Sequence, residues 1–377
     1  MKKNNINVGL VGHRFMGKAH SNAIGKISMF FDTTSQITQK VICGLEEDEV
    51  KIAAEKFGWE GYESSWENLV KRNDIDMIDI AAATNIHKQV AIAAAHEGKH
   101  IFCEKPLALN LAEAREMLET VNKCKIKHQI GFNYRFAPAV MFAKKLIADG
   151  KIGKIFHVRA SFLQEWLVNP DVPLSWKLDK KLCGSGALGD IGSHIIDLAR
   201  FLAGEFDSVM AMCKTFVKSR RVDGGSSMAD VQVDDSTVFT VEFKNGALGI
   251  FEASRFARGH KNDLSIEING ELGSVKFYFE RMNELHYYSA EDEAGVQGFR
   301  VIQASEAIHP YMTAWWPVGH IIGYEHTFIH ELYEFVEAIA NDKPTYPSFE
   351  DGVKCAQIVE AVEISCERKS VVKVDEL

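Results

Sequence analysis

A short apolar run at residues 6–11 stops at Gly12, and a helical pattern over residues 16–26 begins beside Gly17. This order of strand, glycine turn and helix constrains the fold more than any other feature of the chain. A turn that tight needs no Cβ at Gly12, and a helix lying close on its strand needs none at Gly17. The pattern then repeats. Residues 40–44 are β-type and precede a helix at 47–57. Residues 75–83 are apolar but for aspartates and precede a helix at 87–97. Residues 100–103 are again strand-like, and Asn110 opens a helix over 111–124 with Glu113 three residues on, a capping-box spacing. Strands buried on both faces and alternating with helices predict a doubly wound parallel sheet.

After about residue 130 the texture changes. Residues 155–162, 209–217, 235–243, 247–254, 264–269 and 274–279 are β-type, with Asn245-Gly246 and Asn269-Gly270 as hairpin signals. Two helices, near 326–340 and 349–367, close the chain. The expected organisation is α/β: a nucleotide-binding domain over residues 1–130, then an α+β domain over 131–377 built on a large open antiparallel sheet. Residues 223–230, rich in Gly and Ser, read as a mobile loop.

The formal charge of −9 disfavours a nucleic-acid partner, which needs a basic face. No apolar run reaches the roughly 20 residues that span a bilayer, and the apolar start is too short for a signal peptide, so the expected compartment is the cytoplasm. Seven cysteines without a C-x-x-C pair argue against both a disulfide framework and a zinc site; most are expected to be small buried hydrophobes, and no metal is expected.

The loop from Gly12 to Gly17 lies where a dinucleotide fold binds pyrophosphate. The backbone at Arg14, Phe15 and Met16 would meet the phosphates through free N–H groups at the helix start. Arg14 replaces the middle glycine of G-x-G-x-x-G, so the backbone approaches less closely while the guanidinium can lie alongside. No carboxylate stands at the tip of the second strand, where Gly44 is found; Glu46 is the candidate for the ribose, which tilts the reading to NAD with NADP left open. Thr84, Asn85 and His87 follow the third parallel strand at the ligand edge, where they contact cofactor or merely cap the next helix.

Glu104-Lys105-Pro106 follows the fourth parallel strand directly. Lys105 therefore emerges at the same edge, where it can hydrogen-bond a reacting hydroxyl or share its proton; a surface turn paired to Glu104 is the bland alternative. In the second domain, Gly184, Gly186 and Gly189 precede a helix on which Asp190, His194 and Asp197 fall on one stripe at 100° per residue. A carboxylate one turn before a histidine can orient the imidazole and raise its basicity, though an ordinary His–Asp helix pair would look the same.

The glycine loop, Glu104-Lys105-Pro106 and Asp190-x-x-x-His194, in this order and spacing, resemble the Gfo/Idh/MocA family along essentially the whole chain. The resemblance implies a Rossmann domain followed by an open-sheet domain. It also implies oxidation of a cyclic sugar, anhydrosugar or polyol by NAD(P), with Lys105, Asp190 and His194 around the reacting carbinol and Glu104 among the cofactor contacts. Further stretches carry the likeness: Phe15-Met16-Gly17-Lys18-Ala19-His20-Ser21, Phe132-Asn133-Tyr134-Arg135, Leu163-Gln164-Glu165-Trp166 and Ser175-Trp176-Lys177. They imply Tyr134, Gln164 and Lys177 as substrate contacts, with Lys177 where an arginine is expected. Trp166, Trp176, Trp315 and Trp316 are candidate sugar platforms, each of which could equally be core. Two rivals remain at this point. One is a glycoside-cleaving enzyme that uses NAD transiently; the other is a non-catalytic sugar or nucleotide sensor. An open sheet face predicts a homodimer or homotetramer.

Overall fold

The computed structural model describes residues 5–222, 224–225 and 227–377. Met1–Asn4, and Asp223 and Ser226 of the expected loop, lie outside the described residues. Contacts divide the chain into two compact units: residues 1–136 with 322–354, and residues 137–321 with 355–377.

The first unit carries six parallel strands: β1 (Asn5–Val11), β2 (Gln36–Cys43), β3 (Gly61–Glu63), β4 (Met77–Ile80), β5 (His100–Glu104) and β6 (His128–Gly131). Their order is β3-β2-β1-β4-β5-β6. The direction of winding reverses between β1 and β4, so the loops after β1, β4 and β5 leave one edge side by side, where such sheets bind ligands. The connecting helices are α1 (Phe15–Phe30), α2 (Glu47–Phe57), α3 (Trp66–Val70), α4 (His87–His96) and α5 (Leu111–Cys124). Asn110 caps α5 by accepting from the Glu113 N–H at 2.9 Å.

The second unit holds helices α6 (Pro138–Ala148), α7 (Lys180–Cys183) and α8 (Ser193–Ala203). Its sheet begins with β7 (Ile155–Leu163) and β8 (Phe206–Lys214). A two-stranded ribbon follows, β9 (Ser219–Arg221) with β10 (Met228–Asp230), so part of the expected mobile loop is strand. Then come β11 (Ser236–Phe243), β12 (Leu248–Ser254), β13 (Asp263–Gly270), β14 (Gly273–Tyr278), β15 (Glu284–Ser289), β16 (Arg300–Gln303) and β17 (Val372–Lys373). Nine strands form one sheet in the order β16-β15-β14-β13-β7-β12-β11-β8-β17. The expected antiparallel sheet needs one correction: β7 and β12 run parallel, because a long crossover rather than a hairpin joins them. Asn245-Gly246 makes its predicted turn with Gly246 at φ +84°. Asn269-Gly270 instead ends β13, and the chain turns at Glu271-Leu272.

Helix α9 (Tyr324–Ala340) returns to the first unit, and α10 (Phe349–Arg368) runs from the first into the second. The cysteine reading also needs correction. Cys213 on β8 is bonded to Cys366 on α10, a partner 153 residues away that local spacing cannot reveal. Cys43, Cys103, Cys183 and Cys355 are free and buried, as small hydrophobes should be. No helix among the described residues is long and apolar enough to cross a membrane.

Candidate active site

The phosphate loop of the first unit is shaped by its two glycines. Gly12 has φ +113°, and a Cβ there would lie 2.6 Å from the Ala81 carbonyl oxygen. A Cβ on Gly17 would overlap the Gly12 carbonyl. The absence of both lets α1 start directly beneath the strand ends. Helix α1 has no side-chain cap and no acidic residue in its first turn, so its N-terminal dipole is left to an anion. Phe15 and the Arg14 side chain are exposed, with Met16 half-buried. These features fit a dinucleotide pyrophosphate.

The tip of β2 has no carboxylate for a physical reason. His13 packs on Gly44 so closely that any Cβ would overlap the imidazole. His13 and Arg14 both reach Glu49, at 3.1 and 3.5 Å, and Glu46 is exposed beside them. Potential ligand atoms of His13, Glu46 and Glu49 lie within 4.8 Å of one another; both carboxylates are exposed, and no ion is assigned to them.

At the end of β4, Thr84 is buried and Asn85 half-buried, and neither caps a helix through its side chain. His87 is buried with Nδ1 3.1 Å from the Pro106 carbonyl and Nε2 3.1 Å from that of Ala82. Burial holds it below the usual imidazole range. It therefore ties the loops after β4 and β5 together. Lys105 is half-buried and precedes a cis proline. The carboxylate of Glu104 is turned inward: Oε1 lies 3.0 Å from His20 Nε2, and Oε2 accepts from the Lys105 backbone N–H at 3.1 Å. Tyr134 is buried, its ring 6.5 Å from that of Tyr324.

In the second unit the segment before α8 is not a regular α-helix. Leu188–Gly192 makes a π-helical turn, so the 100° phase used to align Asp190 with His194 does not hold across it. Asp234 fixes this turn: its carboxylate oxygens accept from the Gly186 and Leu188 N–H groups, both at 2.9 Å. A Cβ on Gly186 would collide with the Asp234 backbone. Asp190 accepts from Lys177 Nζ at 3.1 and 3.0 Å and faces Arg255 Nη1 at 3.8 Å. His194 is 7% exposed and packs beside Phe162. Arg255 is fully buried; it donates to the Asp234 carbonyl at 2.9 Å and lies 5.7 Å from the Trp166 ring centre. Gln164 accepts from Trp166 Nε1 at 2.9 Å and donates to Asn262 at 2.8 Å, so it holds the indole in place. Trp166 and Trp176 are exposed, as sugar platforms must be; Trp315 and Trp316 pack tilted at 6.5 Å.

Two family models match, one after the other. The oxidoreductase family with an NAD-binding Rossmann fold covers residues 6–132, and the GFO/IDH/MocA C-terminal domain covers residues 140–276. The chain is 41% identical to levoglucosan dehydrogenase of Pseudarthrobacter phenanthrenivorans, over 99% of each chain. This chain belongs to the Gfo/Idh/MocA family of oxidoreductases. It is 27% identical to myo-inositol 2-dehydrogenase of Thermotoga maritima, again over 99% of each. Among solved structures, levoglucosan dehydrogenase in complex with NADH and levoglucosan has a TM-score of 0.95 at 42% identity, covering 98% of this chain and 100% of that one. An oxidoreductase domain protein from Kribbella flavida has a TM-score of 0.96 at 45% identity, covering 98% and 99%.

In this Gfo/Idh/MocA protein the predicted residues fall into two sets. Gly12, Arg14, Phe15, Met16, Thr84, His87, Glu104 and Lys105 gather at the strand ends of the first unit. Asp190, Lys177 and His194 gather around the π turn of the second. Sequence reasoning passed over His20, Asp79, Asp234 and Arg255. Asp79 gave a usable signal, since a carboxylate between buried Ile78 and Ile80 must have a partner. Arg255 gave none, because its partners are backbone carbonyls and residues far along the chain.

Proposed function

We propose that this protein is an NAD-dependent dehydrogenase that oxidises a secondary hydroxyl of a cyclic sugar, anhydrosugar or polyol. The observation that carries the reading is the ion pair of Lys177 with Asp190, which stands on the π turn that leads into His194. It presents a cation, a carboxylate and an imidazole to a neutral polyol, which can accept from the first and donate to the other two. Bound NAD supplies the hydride acceptor, C4 of its nicotinamide. His194 takes the hydroxyl proton, and Lys105 donates a hydrogen bond to the oxygen as charge develops on it. Asp190 holds an adjacent hydroxyl. Tyr134, Gln164 and Trp166 shape the sugar site, with Trp166 offering its exposed face to the ring. Phosphate contacts come from the amides at Phe15 and Met16 and from Arg14; Glu46 serves the ribose, and Thr84, Asn85, His87 and Glu104 line or brace the cofactor crevice. Lys105→Ala and His194→Ala each lower turnover roughly 10²–10⁴-fold. A near-normal rate in Lys105→Ala contradicts the mechanism.

The cytoplasm, where NAD is abundant, is the compartment we propose for this chemistry. The assembly we propose is a homodimer or homotetramer through the uncovered sheet face. Helices α6 and α8 pack on one face of the sheet, while the other aligns Met210, Thr240, Ile250 and Arg159 across four neighbouring strands. Met210, Met212, Leu248 and Ile250 are all more than half exposed, and a monomer would leave this apolar surface in water. Sedimentation of wild type at two protomer masses or more, and of Ile250→Glu at a lower mass, supports this; a monomeric wild type contradicts it.

A further inference from the structure

Behind Lys105 lies a cluster for which the reaction as derived has no use. His20 on α1 is completely buried between two carboxylates. Its Nδ1 is 2.9 Å from both oxygens of Asp79, at the centre of β4, and its Nε2 is 3.0 Å from Glu104 Oε1. Glu104 Oε2 in turn accepts from the backbone N–H of Lys105. Asp79 is likewise fully buried, and the rings of Phe102 and Phe328 wall in the imidazole at 5.5 and 5.6 Å. Sequence dictates the approach: Gly17, one turn before His20, lets α1 lie close enough for an imidazole to reach β4 and β5. A Cβ on Gly131 would meet Glu104 Oε1 at 2.9 Å, so a second glycine leaves room for the carboxylate.

We propose that His20, Asp79 and Glu104 form a positioning unit for Lys105, which fixes the backbone from which the lysine projects and keeps a permanent negative charge next to it. This rests on the role given to Lys105 above. The charge follows from counting. Each ring nitrogen faces a carboxylate at hydrogen-bond distance, so one proton lies in each contact. Two protons on an imidazole ring and two carboxylates leave a net charge of −1, whichever atoms hold them. Burial alone would drive the imidazole to its neutral form, but Asp79 and Glu104 outweigh it and raise His20 well above its ordinary range; burial also raises Asp79, against the pull of His20. Both shifts retain the shared proton. The neighbours do not cancel the charge. Burial raises the Cys103 thiol and the Tyr324 phenol, the latter with help from Tyr134, Glu104 and Glu331, and lowers His87. A buried negative charge beside Lys105 attracts the positive charge with which the lysine would donate to the developing alkoxide.

Two isosteric variants move that charge in opposite senses. In Glu104→Gln the amide can donate to His20 Nε2 and accept from the Lys105 N–H, which leaves the charge on Asp79, one imidazole farther away. In Asp79→Asn the charge is confined to Glu104. The pH at which kcat/KM falls on the alkaline side is expected to drop by about half a unit to one unit in Glu104→Gln, and to stay or rise in Asp79→Asn. Affinity for NADH, read by fluorescence titration, is expected to stay within about threefold in Asp79→Asn. A merely structural cluster would lower thermal stability in both variants and move neither limb. Equal limbs in the two variants, with Lys105→Ala inactive, overturn the positioning role and leave the mechanism standing; an active Lys105→Ala overturns both. The wild-type protein gives a test that needs no variant: the imidazole ¹⁵N resonances of His20 should not titrate between about pH 5 and 9. A His20 midpoint inside that range overturns the proposal.

Discussion

Arg255→Met is the perturbation whose outcome the structure specifies most fully. The guanidinium is completely buried, donates to the Asp234 carbonyl at 2.9 Å, and stands 3.8 Å from Asp190 Oδ2. Methionine fills a similar volume but restores none of these contacts. The bond to Asp234 is charge-assisted, and such bonds contribute about 1.5–3 kcal/mol. The attraction to Asp190 at that distance has a ceiling of about 4 kcal/mol at an effective dielectric of about 20. Asp190 keeps Lys177, and methionine escapes the desolvation cost of a buried cation, so the sum is not realised. Breaking a buried pair from one side costs about 3–5 kcal/mol. At about 2–4 °C per kcal/mol for a unit of this size, Tm falls by roughly 6–20 °C. Because Asp234 also anchors the π turn, kcat/KM falls even at temperatures where the variant is folded. Calorimetry and steady-state kinetics at 20 °C read the two effects. A Tm within about 2 °C of wild type, with unchanged kcat/KM, would refute the anchoring role of Arg255.

Gly17→Ala places a Cβ on the Gly12 carbonyl, so NADH affinity measured by fluorescence titration falls by at least about tenfold. Burial depresses His128 to about 4 and His330 to about 3. Because these folded-state values lie below the unfolded one, the unfolded chain binds the protons first. Stability contributed by each group is full above about pH 6.5 and is lost as pH falls from there toward the folded value, by up to about 1.4 kcal/mol per group per pH unit. Urea midpoints should therefore fall between pH 7.5 and 5, less steeply in His128→Gln. The Cys213–Cys366 bridge closes a loop long enough for an entropic stabilisation near 5 kcal/mol. Thiol titration of oxidised, denatured protein should give five free thiols, and seven after reduction, as five cysteines are free.

What the sequence made legible was local. The strand–glycine–helix unit at Gly12 and Gly17, the buried run around Ile78, and Lys105 just after β5 were all readable. Each depends on periodicity or on a residue's own conformational limits. The parallel pairing of β7 with β12 was not readable, since register between distant strands leaves no mark in either one. The Cys213–Cys366 bridge and the return of residues 322–354 to the first unit escaped for the same reason. At the site, Leu188–Gly192 forms a π turn, so the regular helical period does not set the phase between Asp190 and His194. Gly44 looked like a departure from the dinucleotide pattern. The structure explains it: His13 occupies the space that any larger side chain would need. The place of Glu104 at the end of a parallel strand was readable, but its carboxylate's partner His20, 84 residues earlier, was not.

The central claim is that the chain oxidises a cyclic sugar alcohol with NAD through Lys105 and His194. The direct measurement is NADH absorbance at 340 nm across a panel of anhydrosugars, cyclic sugars and inositols, run with wild type, Lys105→Ala and His194→Ala. The account predicts NADH formation by wild type with at least one panel member, and a loss of roughly 10²–10⁴-fold in each variant. Tight NAD binding without turnover on any panel member, or turnover that survives both substitutions, would contradict it.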